Sequence, residues 1–360
     1  MPYTLYVFGS NGEGQLGIPA QDIISIPTVA SSWPSEETIS TLGSGDNHTL
    51  FLTASGQVLA AGDNTKGQLG HTIEDKRIER IEKLYGSMHF AAATCESSAY
   101  ITNTTRYGGI QEAALITEGT SHWGELGLSE ESSTLGHSRE SRQSLPSAVI
   151  DFAAGTWHYT ALLSNGQTYG WGKSRHEQLG SKLSDQKKIT VPTKIEEDIP
   201  FTPVKVVCGK DFTYIASSAQ EGKHRLLGRD KNNLRTSMPS HIKGWKQIGA
   251  SWNAIFVLFE DGKLAAWGKE DMWKLVPDEL PLIDSIAVGS EHVLAVTREG
   301  KLISWGWGKH GNCGDLRGLG EKVENDMVNG FWNEIGVEGK IESVGAGFCT
   351  SFVLVDADGR

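Results

Sequence analysis

The feature that most constrains this chain is a repeat. The stretches GDNHTLFLTASGQVLAAGDNTKGQLG (45–70), GTWHYTALLSNGQTYGWGKSRHEQLG (155–180) and GSEHVLAVTREGKLISWGWGKHGNCG (289–314) are each 26 residues long and share one register. Each opens on Gly-x-x-His, crosses an apolar run to a turn ending in Gly, and follows a second run to another Gly. A glycine-rich segment closes it. Self-similarity of this kind marks a stack of small supersecondary units rather than one large core.

Weaker copies fill the gaps. The opening slot recurs at Gly45, Thr94, Gly155, Gly209, Ala250, Gly289 and Gly347, and the glycine after the second run at Gly9, Gly62, Gly119, Gly172, Gly228, Gly268 and Gly306. The two series alternate along the chain. From Gly45 to Gly347 six intervals span 302 residues, a period of about 50, so seven repeats are expected. His48–Thr53 and Gln57–Ala61 read as two strands joined by a short hairpin, and Ser164-Asn165-Gly166, Glu260-Asp261-Gly262 and Arg298-Glu299-Gly300 mark the same turn elsewhere. Helical periodicity is nearly absent. One repeat is a small antiparallel sheet that cannot bury its own faces, and radial stacking supplies the core.

The ends predict how the array closes. The last repeat runs from Val344 through Phe352-Val353-Leu354 to Asp358-Gly359 and stops without its second strand, whereas Leu5–Gly9 is a second strand with no first. Together they make one repeat, which removes the open edges of the array. The expected fold is an all-β, seven-bladed β-propeller, a single domain over 1–360 closed by its two termini. Two departures stand out. The Ser-rich stretch at about 128–148 is expected to be a mobile surface loop, and repeats two and five have lost most signature residues.

Glycine makes up 43 of the 360 residues, spread through the chain as tight turns require. A net charge of −11 argues against a surface built to neutralise phosphates, so direct nucleic-acid binding is not expected. Cys95, Cys208, Cys313 and Cys349 stand singly with no Cys-x-x-Cys pair, which predicts free thiols in a reducing compartment. No basic-then-apolar leader and no apolar run of ~18 residues is found, so neither secretion nor a membrane span is expected. The cytoplasm is the expected location, with the nucleus as a second one.

His48, His158 and His292 share one repeat position, but a ring would spread them apart. A hydrogen bond to a neighbouring blade's backbone is therefore expected rather than a metal site. Gly9-Ser10-Asn11-Gly12-Glu13-Gly14 lacks the Lys-Ser/Thr of a phosphate loop, and no Gly-x-Ser-x-Gly occurs. No catalytic residue, metal or cofactor is predicted. The residues between the slot Gly and the strand, which include Trp157, Asp211, Trp252, Glu291 and Phe348, should emerge on one face. Aromatics among polar loops there suit a protein-binding hot spot. Trp307, His310 and Asn312, with Cys313, form a second candidate in the closing loop of repeat six.

Gly-x-x-His-Thr at 45–49 and the Gly-x-Asn-x-x-Gly-Gln-Leu-Gly close at 62–70, with related runs at 155–180 and 5–17, resemble the regulator-of-chromosome-condensation repeat family over essentially the whole chain. The resemblance implies a seven-bladed propeller. It also implies, for exchange-factor members, that the loop face meets a small GTPase. Trp305-Gly306-Trp307-Gly308-Lys309-His310-Gly311-Asn312-Cys313-Gly314 is similar to small fungal propellers of that family without further domains. That similarity implies a heterodimer with a small zinc-binding protein of diphthamide biosynthesis, and a link to Elongator-dependent modification of tRNA wobble uridines. Guanine-nucleotide exchange on a Ran-like GTPase is the alternative, and a tubulin- or ubiquitin-pathway scaffold stays open.

Overall fold

A computed structural model describes residues 2–71, 73–105, 109, 111–129, 141–197 and 199–359. Seven antiparallel sheets follow one another along the chain. Blade one holds β3 (Ile39–Ser44), β4 (His48–Thr53), β5 (Val58–Asp63) and β6 (Arg77–Tyr85). Blade two holds β7 (Phe90–Ala93), β8 (Ser97–Thr105), β9 (Gln111–Gly119) and β10 (Ser141–Leu145), and blade three holds β11 (Val149–Ala154), β12 (His158–Leu163), β13 (Thr168–Lys173) and β14 (Lys188–Lys194). Blades four and five have three strands each: β15 (Lys205–Cys208), β16 (Thr213–Ala216) and β17 (His224–Leu227), then β18 (Trp245–Ala250), β19 (Ala254–Phe259) and β20 (Leu264–Gly268). Blade six holds β21 (Ile283–Val288), β22 (His292–Thr297), β23 (Leu302–Trp307) and β24 (Met327–Ile335).

Blade seven is shared by the two termini. From the C-terminal side come β25 (Lys340–Ala346) and β26 (Thr350–Asp356), and from the N-terminal side β1 (Tyr3–Ser10) and β2 (Ile23–Val29), in the order β2-β1-β26-β25. β1 and β26 pair without interruption from Tyr3↔Asp356 to Gly9↔Thr350. The first strands touch in succession round the ring, and β25 meets β3 to close it. No helix among the described residues is long and apolar enough to cross a membrane.

The repeat's two glycines have separate physical causes. At the slot, a Cβ on Gly45 would lie 2.1 Å from His48 Cε1, one on Gly155 2.3 Å from His158 Cε1, and one on Gly209 2.1 Å from Phe212 Cε1. The ring that follows folds back under the slot, so only glycine fits above it. At Gly347, where Thr350 stands in place of the ring, a Cβ would instead meet Ser44 Oγ and Thr350 Oγ1, whereas repeats two and five lack both the ring and the glycine. Thr94 pairs with Ser97, their hydroxyls 2.6 Å apart, and Ser251 faces the small Ala254. The slot of repeat five is thus Ser251 and not Ala250, because Ser251 N–H donates to the Ala254 carbonyl as Gly45 donates to His48 and Gly289 to His292. The degenerate repeat had hidden this shift of one residue. The second glycine, as at Gly62 and Gly306, has φ of 111° and 107°, and a Cβ there would stand 2.3 Å and 2.5 Å from the Asn47 and Glu291 carbonyl oxygens.

The Ser-rich stretch is only partly a loop. Residues 130–140 lie outside the described residues. Ser141–Leu145, however, is the outer strand of blade two, in register with β9 from Ser141↔Thr117 to Leu145↔Ala113. Its polar composition is that of a strand with one face toward solvent.

Two stability outcomes follow. Phe352 is fully buried at the closing blade and stacks edge-on with Phe51 of blade one at 5.2 Å. Phe352→Ala should cost about 3–5 kcal/mol in urea unfolding. Gly45→Ala should destabilise by about 1–3 kcal/mol through overpacking, and adding His48→Ser should recover part of that loss; purely additive losses would sink the ring-under-glycine account.

Candidate functional site

Strand direction alternates within each blade, so the turns between first and second strands and those between third and fourth strands emerge on one face. Both sequence candidates therefore lie on the same face of the ring. At its centre a cavity of about 350 Å³ runs down the axis, lined by small residues of the first strands such as Gly43, Ala92, Ala154, Gly249 and Ala346.

Backbone hydrogen bonds stitch the mouth of this channel. Asp46 N–H donates to the Cys95 carbonyl (3.1 Å), Cys95 to Thr156 (3.0 Å), Lys210 to Trp252 (2.9 Å), Trp252 to Ser290 (3.0 Å) and Ser290 to Gly347 (3.1 Å). Phe348 N–H reaches Ser44 Oγ at 3.0 Å and completes the link to blade one. At the boundary between blades three and four, charge adds to the Arg229 N–H bond to the His176 carbonyl (3.0 Å). Lys173 Nζ lies 2.9 Å from Asp211 Oδ1, and Lys231 Nζ lies 3.0 Å from Asp211 Oδ2. Burial pushes the Asp211 carboxyl up, but the hydrogen bonds from Lys173 and Lys231 outweigh it and hold the group at about 2.

The predicted site residues separate into groups. Trp252 and Phe348 come together over the channel mouth, rings 5.3 Å apart and edge-on, with Lys210 Nζ 5.2 Å above the Trp252 ring. They meet because the intervening blade carries only Ser290 at that position. Trp307 and His310 stack edge-on at 5.1 Å in the closing loop of blade six. Asn312 is buried (1% exposed), and its side-chain amide donates to the Trp307 carbonyl at 2.7 Å, so it holds the loop that presents those two rings. Trp157 lies 6.2 Å from His122 on the blade-two side. Glu291 is half-buried, its carboxyl raised by burial and partly lowered again by Lys269 and Lys210. Both Asp211 oxygens are engaged by lysines, which makes that residue an interblade tie.

Sequence reasoning missed Trp123, which has Lys173 Nζ and Arg175 Cζ each 5.7 Å from its ring centroid. Its Trp123-Gly124 matches locally the Trp171-Gly172 and Trp305-Gly306 pairs near the ends of the third strands of other repeats. Counting four residues on from Gly119 places it instead at the loop position held by His176 and His310. Two residues later, Glu125 takes the place of Gln15, Gln68 and Gln178. Its Oε2 accepts the Trp123 N–H at 2.7 Å, as Gln15 Oε1 accepts Glu13 N–H. Burial raises its carboxyl to about 7.

The three repeat histidines are structural. Their Nε2 atoms meet Ser98 Oγ (3.1 Å), Thr213 Oγ1 (3.0 Å) and Ser351 Oγ (3.0 Å), each a hydroxyl on the next blade. The expected interblade bond exists, with a side-chain hydroxyl where backbone was expected; backbone at Phe212 and Thr350 contributes in addition. Burial lowers His48 and His292 to about 4 and His158 to about 3.

These shifts predict the pH response. A histidine whose folded pKa is depressed leaves the unfolded chain binding more protons between pH 6.5 and about 4. Three such groups should make stability fall by on the order of 4 kcal/mol for each pH unit of acidification through that window. Glu125 acts oppositely: protonated more readily when folded, it costs stability as pH rises from 4.5 through about 7. Glu125→Gln, which restores the residue of the other repeats, should therefore raise stability by on the order of 3 kcal/mol at pH 8 and hardly change it below pH 4. Chemical denaturation across pH checks both.

A family model described as RCC1-like domain matches residues 4–353. An RCC1 repeat-containing protein of Schizosaccharomyces pombe is 26% identical over 371 residues, covering 98% of this chain and 99% of that one. The secretion-regulating guanine nucleotide exchange factor of Mus musculus is 24% identical over 368 residues, covering 87% of this chain and 76% of that one. Human WBSCR16 shares the fold, with a TM-score of 0.78 at 16% identity over 99% of this chain and 100% of the other.

Proposed function

From the premise that the chain belongs to the RCC1-like domain family, we propose that it is a non-catalytic propeller whose loop face binds a protein partner. The observation that carries this reading is the Trp252–Phe348 pair over the channel mouth with Lys210 above it. Large half-buried rings fixed on a stitched backbone, rimmed by charge, are the composition of a binding hot spot. Trp157 and Trp307 with His310 extend the surface outward, and Glu291 supplies a carboxylate beside the centre.

The finer reading names the partner as a small zinc-binding protein of diphthamide biosynthesis, bound as a heterodimer, through which the propeller supports diphthamide synthesis and Elongator-dependent tRNA modification in the cytoplasm and nucleus. Its support is the doubled Trp-Gly of repeat six, Trp305 to Gly308, where Trp307 replaces the small or charged residue of other repeats. Trp252→Ala should weaken the complex by about 2 kcal/mol or more, some thirtyfold, in calorimetric titration with that protein. Wild-type chain that shows no association would overturn the partner.

Guanine-nucleotide exchange is the second reading, favoured by the likeness to the secretion-regulating guanine nucleotide exchange factor of Mus musculus. Accelerated nucleotide release from a Ran-like GTPase would establish it. Release at the spontaneous rate would remove it.

A further inference from the structure

Charge is distributed unevenly over this acidic chain. Between Glu221 and Lys246 there are seven Lys or Arg against two Asp or Glu, a local charge of +5, while the remainder carries −16. All seven cations, Lys223, Arg225, Arg229, Lys231, Arg235, Lys243 and Lys246, are exposed. They sit on blade four and the start of blade five, the two blades without a fourth strand. Where other blades run an outer strand, residues 229–244 form turns, with Asn232 and Asn233 at φ of 57° and 58°. This leaves β17 as the edge of its sheet.

The cations run the height of the blade. Arg229 and Lys231 pair with Glu177 and Asp211 on the loop face. Lys223 and Lys243 lie at the opposite hairpin, where Ile242 N–H bonds the Gly222 carbonyl at 2.8 Å. Four of the seven are already paired, to Glu221, Glu177, Asp211 and Asp284. Among the described residues, Arg225, Arg235 and Lys243 have no carboxylate within ion-pair distance, and Arg235 spends one N–H on the Gly228 carbonyl.

We propose that the rim of blade four is a second docking surface, which takes an extended acidic segment of a partner protein. A stripe along the edge of a blade fits an extended chain better than a globular surface. Charge complementarity to an acidic peptide supplies steering and register. A polynucleotide fits less well. The −16 of the remaining chain repels a long polyanion, and no Trp, Tyr or Phe between Glu221 and Lys246 is exposed for base stacking. The inference rests on the reading of the chain as a protein-binding propeller but uses the outer rim of blade four rather than the axial Trp252–Phe348 pair, so the two can fail separately.

The test is fluorescence anisotropy of the full chain with a labelled twelve-residue peptide of repeated Glu-Asp-Leu and a labelled twelve-nucleotide RNA, at low and moderate salt. Wild type should bind the peptide more tightly than the RNA and weaken as salt rises. The variant Arg225→Glu, Arg235→Glu, Lys243→Glu should lose at least about tenfold in peptide affinity, with the triple alanine variant intermediate if charge reversal impairs folding. Trp252→Ala should bind the peptide as wild type does, which separates this surface from the axial pair. No peptide binding by wild type, equal binding by the triple variants, or tighter binding of RNA would each overturn the proposal.

Discussion

Pairing of β1 with β26 is the constraint on which the rest of the structure depends. Each blade buries its faces only against two neighbours, so six complete repeats without the shared seventh would leave two large apolar faces in water. Leu5, Val7, Phe352, Val353 and Leu354 are all fully buried at that seam, and Phe51 of blade one packs edge-on against Phe352. The seam therefore closes the ring and completes the packing of blade one. It places residues from opposite ends of the chain in adjacent positions, a contact of very high sequence separation whose loop-closure cost must be met before blades one and seven are fully packed.

The ring was legible in the sequence because its signature residues answer to backbone and ring sterics rather than to a ligand. Gly62 and Gly306 carry a positive φ under a neighbouring carbonyl, and Gly45 covers a histidine ring. These demands recur unchanged at each blade, so they leave a periodic trace. The slot of repeat five was misplaced by one residue because Ser251 and Ala254 meet the same demand with small side chains and leave no trace. The worn repeats are not defective; they satisfy the same packing with a different pair. The Ser-rich segment deceived for a related reason, since an outer strand with a wet face needs few apolar residues.

The loop face was only half legible. Which residues occupy it follows from strand alternation, and the predicted set does share one face. Which of them converge does not follow, because convergence is set across blades. Trp252 and Phe348 stand 96 positions apart in the chain, and meet because Ser290 between them is small. Asp211 looked like an exposed acid beside an aromatic face, yet Lys173, from the preceding blade, and Lys231 have taken both its oxygens. Trp123 was disguised by a local match to the repeat.

The same alternation explains why a ring built from near-identical units can be specific. Girdle bonds such as Trp252 N–H to Ser290 and Ser290 N–H to Gly347 fix the loop backbone whatever side chain it carries. Side chains there can vary without unfolding the blade, and once fixed they lose little further freedom on binding. Blades four and five carry this further by giving up the outer strand. The strand's loss costs ladder hydrogen bonds at the rim, where water replaces them cheaply, while the interblade core, made by the first three strands, is untouched: Tyr214, Leu226, Ile248 and Ile255 remain buried together. A segment released from the ladder is free to carry charge, and residues 229–244 carry it. Asymmetry therefore accumulates where the ring's packing does not depend on it, at the axial loops and the outer rim.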